Sequence, residues 1–196
     1  AHQATLENQH LLSVSEGYPT LGNANGEFSV YYFFDVNCGY CKKLEPTLSR
    51  FVQENPDVKL VMRELPILSE SSNYAAQIGG VLAAIHPDKY ERFHTVVMGS
   101  QPGISNSEID RAVIDILGPE AGSELLGRAL LVDSDEVAKA VAERIKATLE
   151  TATKAGINGT PFVFVGVRDG ILRGAADTAY DDLSQMLADA RKLAAN

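Results

Sequence analysis

The stretch that decides the reading of this chain is Phe28-Ser29-Val30-Tyr31-Tyr32-Phe33-Phe34-Asp35-Val36-Asn37-Cys38-Gly39-Tyr40-Cys41. Its first half is β-branched and aromatic, which predicts a strand. Beyond Cys41, Leu44, Leu48, Phe51 and Val52 fall at i, i+4, i+7 and i+8, one face of a helix. Pro46 lies inside that run and predicts a kink after the first turn. Both cysteines of the protein therefore sit where a strand runs into a helix. Free N–H groups and the positive end of the helix dipole favour a thiolate there. The thiolate is the attacking species in disulfide exchange, so the position predicts a reactive Cys38 and redox chemistry.

Three other readings carry less weight. A structural disulfide across two intervening residues closes a very short loop and removes little chain entropy. A structural zinc site needs four ligands, and one CxxC supplies two. The histidines, His2, His10, His86 and His94, show no paired ligand spacing. An inert buried pair is at odds with thiols at a helix N-terminus.

The chain has 196 residues and is 45% hydrophobic, enough for one substantial core or one domain with an inserted subdomain. A net charge of −9 with no basic patch argues against a nucleic-acid partner and against anionic membrane surfaces. No apolar run approaches the length that spans a bilayer, so no membrane insertion is expected. The polar opening Ala1-His2-Gln3-Ala4 is not a signal peptide, and an exported protein with its signal removed would look the same. A CxxC suits the cytosol or an exported protein, so composition leaves the compartment open.

The rest of the chain divides at its breakers. A short helix is expected over Ala4–Val14. Gly17, Pro19, Gly22, Asn23, Asn25 and Gly26 then mark a turn-rich link. After the first strand and the helix to about Gln53, Asn55-Pro56-Asp57 breaks the chain. Val58–Leu65 reads as a second strand ended by Pro66. Helices follow from Ser72 or Asn73 to Ala84, over Asp88–Met98, from Ser107 to Leu117, and around Ala121–Leu131. Asp133-Ser134-Asp135-Glu136 resembles a capping box before Val137, Val141, Ile145, Leu149 and Ala152. Pro161–Val165, the turn Asp169-Gly170 and Ile171–Gly174 predict a hairpin, and Thr178–Ala194 a last helix. The order implies an α/β fold: a mixed sheet, parallel at the first crossover and antiparallel at the hairpin, with helices around it.

At this point the chain resembles the thioredoxin superfamily, specifically the exported DsbA-like thiol-disulfide oxidoreductases. Phe33-Phe34-Asp35-Val36-Asn37-Cys38-Gly39-Tyr40-Cys41 looks like the active-site strand and helix start of that group, and Gly159-Thr160-Pro161 like its cis-proline loop. Within the group the chain is similar to the suppressor-of-copper-sensitivity C proteins. The resemblance implies a thioredoxin fold over 27–66 and 154–196, an inserted helical domain over 67–153, and an N-terminal helix and linker over 1–26. It implies a periplasmic enzyme with its signal peptide removed. Cys38 attacks and Cys41 resolves. Gly39 lets the backbone turn into the helix, Tyr40 tunes the potential, and Thr160 and Pro161 hold an extended substrate through backbone pairing. Unfolded or misoxidised exported proteins are the implied partners, with a membrane redox partner of DsbB or DsbD type.

Gly39-Tyr40 matches the dipeptide of DsbC-type isomerases, and Thr160 is isomerase-like too. The strongly oxidising DsbA site carries a histidine where Tyr40 stands. A potential between those of thioredoxin and DsbA, about −270 and −120 mV, is therefore expected. Relatives often place a buried acid six residues before the first cysteine, where this chain has Tyr32. Glu64 is a candidate substitute, although a strand-end surface carboxylate is its plainer reading. The stretch before the first strand leaves no long oligomerisation segment, so a monomer is expected. No cofactor beyond the Cys38–Cys41 disulfide is implied. Two thiolates also suit Cu(I), and a copper-binding protein or a peptide-binding chaperone are the alternatives. No methionine- or histidine-rich tract accompanies the thiols.

Overall fold

The computed structural model describes residues 7–167, 170–175 and 180–195. Among them the strands are β1 Thr20–Gly22, β2 Phe28–Phe34, β3 Val58–Glu64, β4 Phe162–Val167 and β5 Gly170–Ala175. The helices are α1 Gln9–Leu12, α2 Gly39–Glu54, α3 Glu70–Ile85, α4 Pro87–Gly99, α5 Asn106–Leu117, α6 Pro119–Ala129, α7 Glu136–Lys154 and α8 Tyr180–Ala194. The strands form one mixed sheet in the order β1-β3-β2-β4-β5. β2 lies at its centre, parallel to β3 with Phe28 opposite Val58, and antiparallel to β4 with Phe33 opposite Phe162. α2 makes the crossover between β2 and β3, and α3–α7 fill the interval before β4. This is a thioredoxin fold with a helical insertion.

Every residue of β2 is buried. The pleat sends Val30, Tyr32 and Phe34 into the larger core with Leu44, Leu48 and Phe51 of α2, and with Ile78, Phe93 and Leu183. Tyr31 and Phe33 face the other way, against Leu12, Val61, Ala152 and Phe164. Helices cover both faces, which is why this strand reads as a continuous apolar run instead of an alternation. α2 continues through Pro46 to Glu54.

The turn-rich link contains a strand that the sequence reading misses. Thr20–Gly22 pairs antiparallel with β3, Thr20 opposite Val61. Three residues ending in glycine have little propensity of their own; the pairing comes from the edge of β3. The segment before it is held by Arg63, which is buried. Its Nη1 donates to the carbonyls of Leu11 (3.3 Å), Leu12 (3.2 Å) and Val14 (3.1 Å), and its guanidinium lies 4.1 Å from the Tyr18 ring. Of the helix expected over Ala4–Val14, Gln9–Leu12 forms, and residues 4–6 lie outside the described residues. So do Asp169 of the expected turn and residues 178–179 of the last helix.

Several helix starts shift toward better caps. α3 begins at Glu70 because Ser69 accepts the Ser72 N–H (3.1 Å). α5 begins a residue earlier than expected, where Ser105 and Glu108 form a full capping box. α6 begins at Pro119, whose missing N–H costs nothing in the first turn. The cap of α7 is Asp135 alone, accepting from Val137 and Ala138 (both 3.0 Å), without the reciprocal arm of a box.

Candidate active site

Cys38 is the N-cap of α2. Its backbone is extended (φ −78°, ψ 112°), and its Sγ accepts the Cys41 N–H at 3.2 Å. Sulfur thus takes the place that a serine or aspartate oxygen fills at other helix starts. On the other side, the Cys38 thiol donates to the Thr160 carbonyl at 3.3 Å. The Thr160–Pro161 bond is cis, as the resemblance implies. The fold therefore brings Cys38, Cys41 and Thr160 together from two distant parts of the chain, with Pro161 next in line. Both cysteines are free and buried.

Their surroundings drive the two thiols apart. The Cys38 pKa falls to about 6, chiefly because the Cys41 thiol donates to it. Burial opposes this, and the Thr160 side chain and the N–H groups of Cys41 and Tyr40 add to the lowering. The Cys41 pKa is pushed far up, first by burial and then by its donation to Cys38. A thiolate at Cys38 beside a thiol at Cys41 is the arrangement needed for attack followed by delayed resolution.

Tyr40 is 74% exposed and stands beside the Lys43 ammonium, 5.4 Å from its ring centre. Gly39 corrects the sequence reading. A Cβ there would meet nothing within 4 Å, and its φ lies outside the left-handed region. Entry into the helix does not require glycine at this position.

Two residues that the sequence reading did not single out hold the turn. Asp35 is fully buried and accepts from the N–H groups of Asn37 (2.8 Å), Ile67 (2.9 Å) and Leu68 (3.0 Å), and from the Ser72 hydroxyl (2.7 Å). Its carbonyl accepts the Cys38 N–H at 3.0 Å. Asn37 reaches the helical block: its Oδ1 accepts from Gly103 (2.7 Å) and Ile104 (3.0 Å), and its Nδ2 points at the hydroxyls of Ser69, Ser71 and Ser72. The available signal was a short polar pair between an apolar strand and a cysteine. Its partners lie more than thirty residues away and are invisible locally.

Beneath Cys41 lies a second polar group. The Tyr32 hydroxyl donates to the Cys41 carbonyl at 3.3 Å, and burial, Glu45 and the Cys41 thiol all push its pKa up. Glu45 accepts from or donates to buried His94 at 2.9 Å through Oε2, while its buried Oε1 has no hydrogen-bond partner. Glu64 is not the surface carboxylate expected at a strand end. Its Oε1 is buried without a partner, and burial and the Asp35 charge raise its pKa. Opposite Phe34 at the end of β3, it lines a small half-open pocket with Tyr18, Tyr90 and Arg144. Among the described residues, no group of three or more His, Cys, Asp or Glu side chains is placed to hold a metal ion.

Comparison with known proteins agrees with this geometry. The DSBA-like thioredoxin domain matches residues 29–188. A thioredoxin-like oxidoreductase from Silicibacter pomeroyi DSS-3 is 31% identical, with a TM-score of 0.76 over 93% of this chain and 96% of its own. The catalytic domain of Proteus mirabilis ScsC is 25% identical, with a TM-score of 0.75 over 96% and 97%. A periplasmic thioredoxin-like protein from Salmonella enterica serovar Typhimurium is 28% identical, with a TM-score of 0.68 over 96% and 94%. No curated protein matches the chain significantly. With the match spanning most of its length and the thiols seated at the helix start, the chain belongs to the DSBA-like thioredoxin domain family and is a disulfide oxidoreductase.

Proposed function

We propose that this protein exchanges disulfides with extended, unfolded or misoxidised exported polypeptides in the periplasm. Cys38 is the exchanging thiol and Cys41 the resolving one. The observation that carries the reading is Cys38 Sγ capping α2, 3.3 Å from the Thr160 carbonyl. In the reducing direction the Cys38 thiolate attacks a substrate disulfide. One substrate sulfur bonds to Cys38 and the other leaves as a thiolate. Cys41 then loses its proton and attacks Cys38 Sγ, which forms the Cys38–Cys41 disulfide and releases the second substrate thiolate. Run backwards, the same steps oxidise a substrate dithiol.

The backbone of Thr160, presented next to Cys38 with Pro161 after it, pairs with an extended substrate segment. Backbone pairing recognises a strand without reading its sequence, which suits many substrates. The open space around Gly39 leaves room for that segment against the turn. Tyr40 sets the potential, and the exposed ring is available to the substrate. A membrane partner, a DsbB-type oxidant or a DsbD-type reductant, resets the pair and so fixes whether the protein works as an oxidase or as an isomerase and reductase. Among the described residues no helix is long and apolar enough to cross a membrane, so that partner supplies the membrane-embedded step.

Single-cysteine variants test the reading. Cys41→Ser accumulates mixed disulfides with proteins when expressed in a periplasm, seen as thiol-sensitive high-mass bands. Cys38→Ser accumulates none and retains the fold by circular dichroism. Normal turnover of insulin disulfides by Cys41→Ser would sink the assignment of roles. The redox state of the protein in the cell, read by thiol alkylation, assigns the direction.

A further inference from the structure

A cleft of about 560 Å³ lies between α2, α4 and β1, within the size range of small-molecule sites. Helical periodicity builds two of its walls. Glu45, Leu48, Ser49 and Val52 fall at i, i+3, i+4 and i+7 of α2, and Glu91 and His94 at i and i+3 of α4, so each set lies along one face of its helix. Leu21 of β1 and Leu60 of β3 add apolar surface from the sheet. Neither the CxxC turn nor Thr160 and Pro161 lines the cleft, so a polypeptide held over Cys38 leaves it open.

The fixed charge of the cleft has one sign. Glu45 and Glu91 line it, and among the described residues no lysine or arginine does. Lys42 of α2 is committed elsewhere, its ammonium donating to the carbonyls of Val97 (2.9 Å) and Met98 (3.3 Å) at the end of α4. His94 is buried, held edge-on by Phe34 at 5.1 Å and stacked by Tyr90 at 5.9 Å between ring centres. Its Nε2 meets Glu45 Oε2 at 2.9 Å, which fixes the carboxyl in the wall. The Glu45 side chain is 23% exposed, and its Oε1 has no hydrogen-bond partner. A carboxylate set in a partly apolar wall attracts a cation more strongly than one on the open surface.

These features select a ligand class. An anion would meet two carboxylates and no fixed cation. A wholly apolar molecule would cover Glu45 and offer it nothing in place of water. A metal ion needs more donors than the cleft has: among the described residues no group of three or more His, Cys, Asp or Glu side chains is placed to hold one. An ammonium on an apolar body satisfies both halves of the site. Its body packs on Leu21, Leu48, Val52 and Leu60, and its N–H donors face the carboxylates.

We propose that this cleft is a binding site for a small organic amine, separate from the site of disulfide exchange.

The chain has no tryptophan, so indole emission excited beyond the tyrosine band reports an indole probe alone. Tryptamine carries an ammonium on an indole body; tryptophol has a hydroxyl in its place, and indole-3-acetate a carboxylate. Titrating the full chain into each should show saturable binding of tryptamine, with affinities at least about tenfold lower for the other two, the scale of a charge-assisted contact. Glu45→Gln should weaken tryptamine binding about tenfold. Glu91→Gln, on an exposed turn, should weaken it about twofold to threefold, because solvent screens that charge. Ser49→Phe, at an exposed position of α2, fills the cleft and should abolish binding. Its circular dichroism and its rate of reducing a small aromatic disulfide should stay at wild-type values. Absence of saturation by tryptamine, equal binding of tryptamine and tryptophol, or undiminished binding to Ser49→Phe would each overturn the proposal. Should Glu45→Gln fail to fold, the ligand series and Ser49→Phe decide it.

Discussion

The Asn37 side-chain oxygen accepts the backbone N–H of Gly103 at 2.7 Å, so the residue before Cys38 is fastened to the segment between α4 and α5. The same oxygen accepts from Ile104, and its amide nitrogen meets the serines at the start of α3. One side chain thus fixes the CxxC turn against the helical block. Position and reactivity of Cys38 depend on contacts from the insertion as well as from α2.

Asn37→Ala leaves the Gly103 and Ile104 N–H groups without their acceptor. Unsatisfied donors of this kind cost about 1–3 kcal/mol. Urea unfolding of the reduced variant should show a midpoint lowered to that extent. An unchanged midpoint would mean that water replaces the side chain and that the turn is held by Asp35 alone.

The split thiols give the redox potential a characteristic pH dependence. Cys38 ionises at about pH 6, and Cys41 stays protonated well above that. Below about pH 6, reduction takes up two protons with two electrons and the potential falls by about 59 mV per pH unit. Above it, one proton is taken up and the fall is about 30 mV per pH unit. Equilibration with glutathione across pH 5 to 8 would locate the break. The linked stability has the matching sign. The depressed Cys38 stabilises the reduced fold fully above its unfolded value near pH 8.5, and this is lost as pH falls through about 6. The raised Cys41 stabilises it below its unfolded value, and this is lost as pH rises further. A single slope through pH 6 would contradict the ionisation of Cys38.

Tyr40→His should make the disulfide a stronger oxidant. A charged or donating imidazole two residues from Cys38 favours the thiolate, and with it the reduced state. For a two-electron couple, about 30 mV corresponds to roughly 1.4 kcal/mol, so one or two added interactions raise the potential by several tens of millivolts. The 74% exposure of residue 40 puts the larger figures out of reach. Thiol alkylation after glutathione equilibration measures it. A potential that is unchanged or more reducing would remove the dipeptide from the control of redox poise.

Gly39→Ala should leave the fold intact, with stability unchanged or raised by up to about 1 kcal/mol, since alanine favours a helix over glycine. Its methyl group enters open space beside Cys38. Protein disulfides should be reduced more slowly, while a small aromatic disulfide reacts at the wild-type rate. Equal rates on both would show that substrate chains do not use that space.

The sequence by itself determined the strand–CxxC–helix unit, the mixed sheet and the helical block. Those features are local: a β-branched aromatic run, a period of 3.6 after Cys41, and turn residues between them. The resemblance supplied the cis-proline loop, because no local propensity announces a contact between Cys38 and Thr160 across most of the chain. Tertiary structure alone decided the rest. β1 exists because the edge of β3 offers partners to a segment with little strand propensity. Asp35 and Asn37 become structural because serines and N–H groups from distant elements converge on them. Glu64 and Glu45 read alike in sequence as carboxylates of a strand end and a helix. Packing encloses Glu64 Oε1 at the end of β3 without a partner, and pairs Glu45 Oε2 with buried His94. Whether a carboxylate is solvated or trapped depends on what folds over it, and no spacing along the chain encodes that.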